Sequence, residues 1–288
     1  MPPLARRDVR SLVRKLDARA RPAQQKQALT TIARLSACGG DRESLVAITA
    51  AGAIPSLVQL LLGPGSSADV QNRAAGAMCN LAYLPENAVA IAAAGAIPPL
   101  VQLLRPASPS DVQKIAAGAL NNLAVDADNQ VTIAAAGAIP LLVQLLGPGA
   151  AALLQEYAAG AVARLALNDD NKVKIAAAGA IPVLVQLLAA TSPALVQRNT
   201  AAALMLLARN ADNQVTIAAA GAIPLLVQLL GPGATALMQE YAAGAVARLA
   251  LNDDNKVMIA AAGAIPPLVQ LLGPGSGETF QNSSQQLH

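Results

Sequence analysis

The sequence predicts an all-α fold: a right-handed superhelical solenoid of three-helix repeats, about five of them complete, between partial capping repeats. Three observations predict it. The hexapeptide Ala-Ala-Gly-Ala-Ile-Pro returns with its glycine at Gly52, Gly95, Gly137, Gly179, Gly221 and Gly263. That spacing of 42 or 43 residues lies within the period of roughly 20–50 that marks solenoids and propellers. Aromatic residues make up 1% of the chain and Trp is absent, against the aromatic cross-strand pairs of a propeller, whereas the abundant Ala and Leu favour helix.

The elements follow in order within one period. Asp and Asn in "DADNQ" (126–130) offer side-chain oxygens to the free N–H groups of a first helical turn. "VTIAAA" continues about two turns of helix, and Gly137 supplies the left-handed residue at which helices commonly end. Pro140 suits the first turn of the next helix, where no N–H is needed. "LLVQLL" (141–146) is apolar almost all round and therefore buried. Gly147-Pro148-Gly149 breaks the chain. A third helix over roughly 153–167 places Leu154, Ala158, Ala161 and Leu165 on one face. Such a unit cannot bury its core alone, and stacked neighbours bury it.

One solenoid domain is expected over 1–275. Its N-terminal partial repeat covers 1–43, the full repeats about 44–254 and the C-terminal partial repeat 255–275; 276–288 is a polar tail or a truncated helix. "RSLVRKL" (10–16) matches the second helix and "QALTTIARLS" (27–36) the third, so the chain starts without a first helix. Residues 127–182 and 211–266 differ at three of 56 positions, the mark of a recent or deliberate two-repeat duplication.

Charge and chemistry exclude several functions. Residues 1–26 carry eight Lys/Arg against Asp8 and Asp17, while the remainder holds twelve Lys/Arg and fifteen Asp/Glu. A mildly acidic body is a poor nucleic-acid surface. The two cysteines, Cys38 and Cys79, read as reduced thiols, so an intracellular location, cytoplasmic or nuclear, is expected. Asn129–Gln155 and Asn213–Gln239 run without a charge, yet their Gly/Pro breaks argue against membrane spans. The single histidine is the last residue, His288, leaving no histidine triad or metal cluster. Cys79 reads as a small core residue, and Asp169-Asp170 and Asp253-Asp254 as capping residues ahead of the first helices. No phosphate-binding loop occurs. The chain is read as no enzyme, without cofactor or metal.

The recurrent "DNQVTIAAAGAIPLLVQLL" followed by "VQ-x-x-AAGAL-x-NLA" resembles the armadillo repeat across essentially the whole chain, with plant and algal armadillo proteins closest in flavour. The resemblance implies a concave groove, lined by the third helices, that binds extended peptides or partner proteins. It places the family's groove asparagine on Asn80 and Asn122, with Arg164, Leu206 and Arg248 at the same position later. The tryptophan that nuclear-import adaptors carry four residues earlier is replaced by Gly76, Gly118, Gly160, Ala202 and Gly244, which argues against binding of nuclear localisation signals. Three residues before these stand Arg73, Ile115, Tyr157, Asn199 and Tyr241.

The expected peptide-binding residues are accordingly Asn80, Asn122, Arg164, Arg248, Tyr157 and Tyr241. An amide at Asn80 or Asn122 can donate to one ligand C=O and accept from an N–H. Arg164 and Arg248 face the groove, because burying an unpaired guanidinium is costly. For the tyrosines two readings stand, packing over a neighbouring repeat and ligand contact. Tyr and Arg together suit an acidic or carboxylate-bearing segment. The leading function is thus a non-catalytic interaction module for a protein or extended peptide. The alternatives are a structural scaffold or engineered repeat array without a dedicated ligand, and an adaptor using its basic N-terminus.

Overall fold

Helix is what the Ala/Leu-rich segments form, and the punctuation residues decide where each one stops. The computed structural model describes residues 6–16, 20–36, 42–62, 67–189 and 191–272, and every regular element among them is an α-helix. The chain divides into two units, 1–141 and 142–288. The first contains α1 (Arg6–Arg14), α2 (Pro22–Leu35), α3 (Arg42–Ala50), α4 (Ala53–Leu62), α5 (Ala68–Leu81), α6 (Pro85–Ala93), α7 (Ile97–Gln102), α8 (Ser110–Leu123) and α9 (Ala127–Ala135). Helix α10 (Ala138–Leu145) spans the division. The second unit continues with α11 (Ala152–Leu165), α12 (Asp169–Ala177), α13 (Ala180–Leu187), α14 (Ala194–Leu207), α15 (Ala211–Ala219), α16 (Ala222–Gln228), α17 (Ala236–Leu249), α18 (Asp253–Ala261) and α19 (Ile265–Leu271).

The repeat over 210–249 shows the construction. Asn210 caps α15 by accepting from the Asn213 N–H at 3.1 Å. The helix stops at Gly221, whose φ of +83° is the left-handed conformation that glycine adopts without steric cost. Pro224 lies in the first turn of α16, as its missing N–H requires. Thr235 then caps α17 through Met238 N at 3.3 Å. The sequence-expected third helix of 153–167 is observed one to two residues earlier, as α11. The aspartate pairs are not the caps expected of them. Asn168 and Asn252 take that role, accepting from Asn171 N and Asn255 N, and the aspartates occupy the first turn, where negative charge meets the positive end of the helix dipole.

Two amide side chains per repeat hold the corners. Gln239 on α17 donates to Leu230 O at 3.3 Å and Gly231 O at 2.8 Å, and Gln113, Gln155 and Gln197 do the same at their own second-helix ends. Asn255, 3% exposed, donates to Leu249 O and to Gln214 O of the preceding first helix. These bonds close helix-end carbonyls that have no partner within their own helix.

Stacking buries the second helices. Leu57, Leu100, Leu142, Leu184 and Leu226 recur at the repeat spacing, each 0% exposed. Ile181 and Val185 on α13 are 1% and 5% exposed, but Ile265 and Val269, their counterparts on α19, are 60% and 61%. Within the stack the apolar face of a second helix is covered by the neighbouring repeat. Helices α1 and α2 take the second- and third-helix roles at the N-terminus, as the sequence matches require, and α18 and α19 take the first and second at the C-terminus. The end of the C-terminal partial repeat, the tail 276–288 and Cys38 lie outside the described residues. No single described helix is long and apolar enough to cross a membrane; α3 with Ala53–Leu61 meets the criterion by length and composition only as a pair bent by 77°.

Candidate functional site

The third helices pack extensively on one another, α2–α5–α8 in the first unit and α11–α14–α17 in the second, where no other helix pair packs as extensively. Small residues permit this close approach. A Cβ placed on Gly76 would meet Ile115 Cγ2 of α8 at 4.0 Å, and one on Gly244 would lie 2.6 Å from Met205 Sδ of α14. Side chains of the neighbouring helix therefore lean over the positions where the nuclear-import adaptors would have tryptophan.

In the first unit the candidate residues join the helices to one another. Asn80 is half-buried, and its Nδ2 donates to Ala33 O of α2 at 3.2 Å and to Ser36 Oγ at 3.4 Å. Asn122 Nδ2 donates to Cys79 O of α5 at 2.9 Å, while its Oδ1 accepts from Asn121 Nδ2. The donor role expected toward a ligand is thus taken by the preceding helix. The carbonyl oxygens, each with two lone pairs, retain acceptor capacity. Arg73 Nη1 donates to Thr30 Oγ1 at 2.9 Å and Lys26 reaches Asp69 at 2.8 Å. Hydrogen bonds from Lys26 and Arg73 hold the Asp69 carboxyl below the usual carboxylate range.

The second unit is furnished differently. Tyr241 is buried, 9% exposed, whereas its duplicate Tyr157 is half-buried. Burial, followed by the neighbouring Glu240, pushes the Tyr241 phenol up, against the opposing pull of Arg198 on α14 and Arg164 on α11. The Tyr241 side chain is therefore largely packed against its surroundings. Arg164 and Arg248 are both half-buried. Burial lowers the Arg164 guanidinium from its ordinary value, with Tyr241 acting the other way. The Nε of Arg248 and Oε2 of Glu240 are buried and make no hydrogen bond among the described residues. Between the two arginines in register stands Leu206, half-buried on α14.

A further column escaped the sequence reading. Glu156, Arg198 and Glu240 occupy one register on α11, α14 and α17, and their alternating sign at the repeat spacing was the signal available. Arg198 donates to Asn199 Oδ1 through Nε at 3.3 Å and Nη2 at 3.2 Å, and Asn199 Nδ2 donates to Glu156 O at 3.0 Å. Burial raises the Glu156 carboxyl while Arg198 pulls it down. Among the described residues no group of three or more His, Cys, Asp or Glu is placed to hold a metal.

Comparison with known proteins accords with this geometry. The armadillo/beta-catenin-like repeat family model matches five times, at 41–83, 85–125, 126–167, 168–209 and 210–251. An engineered protein of known structure is 33% identical, with a TM-score of 0.82 over 97% of this chain and 67% of its own. A designed armadillo repeat protein is 30% identical, TM-score 0.75, over 84% of this chain and 99% of its own. Another, solved in complex with the peptide (KR)4, is 29% identical, TM-score 0.72, over 84% and 99%. No curated protein matches the chain.

Proposed function

The chain belongs to the armadillo/beta-catenin-like repeat family, and on that premise we propose that it is a non-catalytic interaction module binding an extended peptide or partner segment along its third helices. One observation carries the reading. Closely packed third helices present polar and charged side chains in a fixed register, one position per helix, on the half-buried face that holds Asn122 in the first unit and Arg164 and Arg248 in the second. An extended chain presents alternate side chains at its own regular interval, so register can be matched to register. Structural neighbours support it: one designed armadillo protein was solved with the peptide (KR)4, and others were computationally designed for modular peptide recognition.

In this reading Asn80 and Asn122 accept from ligand N–H groups, Arg164 and Arg248 receive acceptors or carboxylates, and Tyr157 and Tyr241 border them. The tyrosine–arginine face suits an acidic segment rather than a basic one. Reduced Cys38 and Cys79 accompany an intracellular setting. A second reading, a scaffold without a dedicated ligand, draws on the burial of Tyr241 and on Met205 leaning over Gly244, which fill part of the face from within.

Selection of 15-residue random peptides on the full chain, followed by fluorescence anisotropy and hydrogen exchange of the complexes, separates the two. The module predicts binders whose protection maps to α5, α8, α11, α14 and α17. No binder up to about millimolar peptide, equivalent to only about −4 kcal/mol, or protection confined to the first helices, contradicts it.

A further inference from the structure

We propose that the first helices of the first unit, α3, α6 and α9, form a second docking surface. Its occupant is a basic amphipathic helix of a partner protein, offering one aliphatic residue and one Lys or Arg per seven residues. The surface is separate from the third helices and goes beyond the peptide-binding reading.

Each of the three helices repeats one pair. Glu43, Glu86 and Asp128 are exposed in the first turns, and Val46, Val89 and Val131, three residues on, are 45%, 49% and 52% exposed. A spacing of three places carboxylate and valine on one helix face. The helices RESLVAITA, PENAVAIAA and ADNQVTIAA are not copies of one another, so the pair recurs where the surrounding residues have changed. The carboxylates alone need no ligand, because negative charge in a first turn stabilises a helix. That explanation does not extend to the valines, since an exposed β-branched residue forms helix less well than alanine. Single exposed apolar residues are ordinary, but Tyr83 and Val125, 78% and 47% exposed, precede Glu86 and Asp128 by three residues and add to the row.

Adjacency and charge decide the occupant. Asn129 Nδ2 of α9 donates to Ala88 O of α6 at 3.3 Å, and Arg42 of α3 pairs with Glu86 of α6 at 2.9 Å, so the three helices lie side by side. Packed helices stand about 8–10 Å apart. Seven residues of helix advance about 10.5 Å and return to nearly the same face, whereas same-face residues of an extended chain fall about 6.6 or 13 Å apart. A helix crossing the three therefore meets one valine and one carboxylate per heptad. Apart from Arg42, α3, α6 and α9 carry no base, and Glu43 and Asp128 make no ion pair among the described residues. The Arg42–Glu86 pair is exposed on both sides and so weak enough to exchange for a partner's cation. The second-unit counterparts α12 and α18 bring Lys172, Lys174 and Lys256, so the acidic face belongs to the first unit.

The test titrates a fluorescein-labelled three-heptad peptide, (Leu-Ala-Gln-Lys-Ala-Ala-Gln)3, against the full chain by anisotropy, with hydrogen exchange of the complex. Its Leu and Lys stand three residues apart, like the valine and carboxylate they meet. Comparison peptides replace every Lys by Glu, replace every Leu by Ser, or insert one Ala between heptads. The first peptide should bind at least about tenfold more tightly than each of the others, and should protect 42–50, 85–93 and 127–135. The Glu43→Lys/Glu86→Lys/Asp128→Lys variant should prefer the Glu peptide, a gain that an unfolded variant cannot produce. No binding of the lysine peptide, equal binding of the Glu version, tolerance of the inserted residue, an unreversed preference, or protection confined to the third helices overturns the proposal.

Discussion

The two third-helix faces share one register and use it in different ways. In the first unit Asn80 and Asn122 turn their amides to carbonyls of the preceding helix, and Arg73, Lys26 and Asp69 add bridges between α2 and α5. In the second unit arginine and leucine replace the asparagines, and the helix-to-helix amide moves seven residues earlier, to Asn199. A short amide reaches only the adjacent backbone, so it is consumed in stitching repeats together. An arginine at the same position is longer and charged, and at Arg164 and Arg248 it is half-buried. The repeat architecture tolerates either choice because its core and corners are set elsewhere.

Substitutions can break or sharpen this contrast. The largest effect belongs to what the units share: Leu100→Ala in the first and Leu184→Ala in the second, both fully buried, should each cost about 2–5 kcal/mol in urea unfolding. A small loss in one unit alone would mean that the two cores are not equivalent. Next, Asn122→Ala and Asn199→Ala should each cost about 0.5–1.5 kcal/mol by the same measurement, since each removes one bond between third helices. If Asn122→Ala is neutral while Asn199→Ala is not, the stitching role of the first unit is wrong.

Two pH effects then distinguish the units. The folded Tyr241 phenol lies above its ordinary value because of burial, so the protonated form is favoured in the folded state. The associated stability is complete below the ordinary tyrosine value of about 10 and is lost as pH rises through the folded value. Tyr241→Phe should remove that alkaline loss in thermal melts. Asp69 lies below its ordinary value, so its contribution is complete above the usual carboxylate range and is lost as pH falls through the folded value. Asp69→Asn should flatten the small acid-side decline of the first unit; an unchanged profile would count against the Lys26–Asp69–Arg73 cluster.

Local signals made the fold legible in the sequence. All six corner glycines have φ between 75° and 85°, and the prolines after them fall in first turns. Both follow from backbone sterics alone, and the repeat spacing carries them through the chain. The site was legible in register and illegible in environment. Asn80 and Asn122 reach backbone carbonyls on the preceding repeat, and a carbonyl leaves no mark in a sequence. Tyr157 and Tyr241 lie within duplicated segments and differ in burial. Lys172 and Lys256 are likewise copies, yet their side chains are 2% and 58% exposed. What stands beside a residue in the stack decides its role, and that information is not local.

The central proposal is that the third helices of the second unit take part in receiving an extended peptide. A photo-cross-linking form of a peptide selected on the full chain, carrying benzoylphenylalanine, tests it most directly. Digestion and mass spectrometry should place its adducts within 152–165, 194–207 and 236–249. Adducts confined to the basic residues 6–16 or to the first helices, with those three segments unmodified, would contradict it.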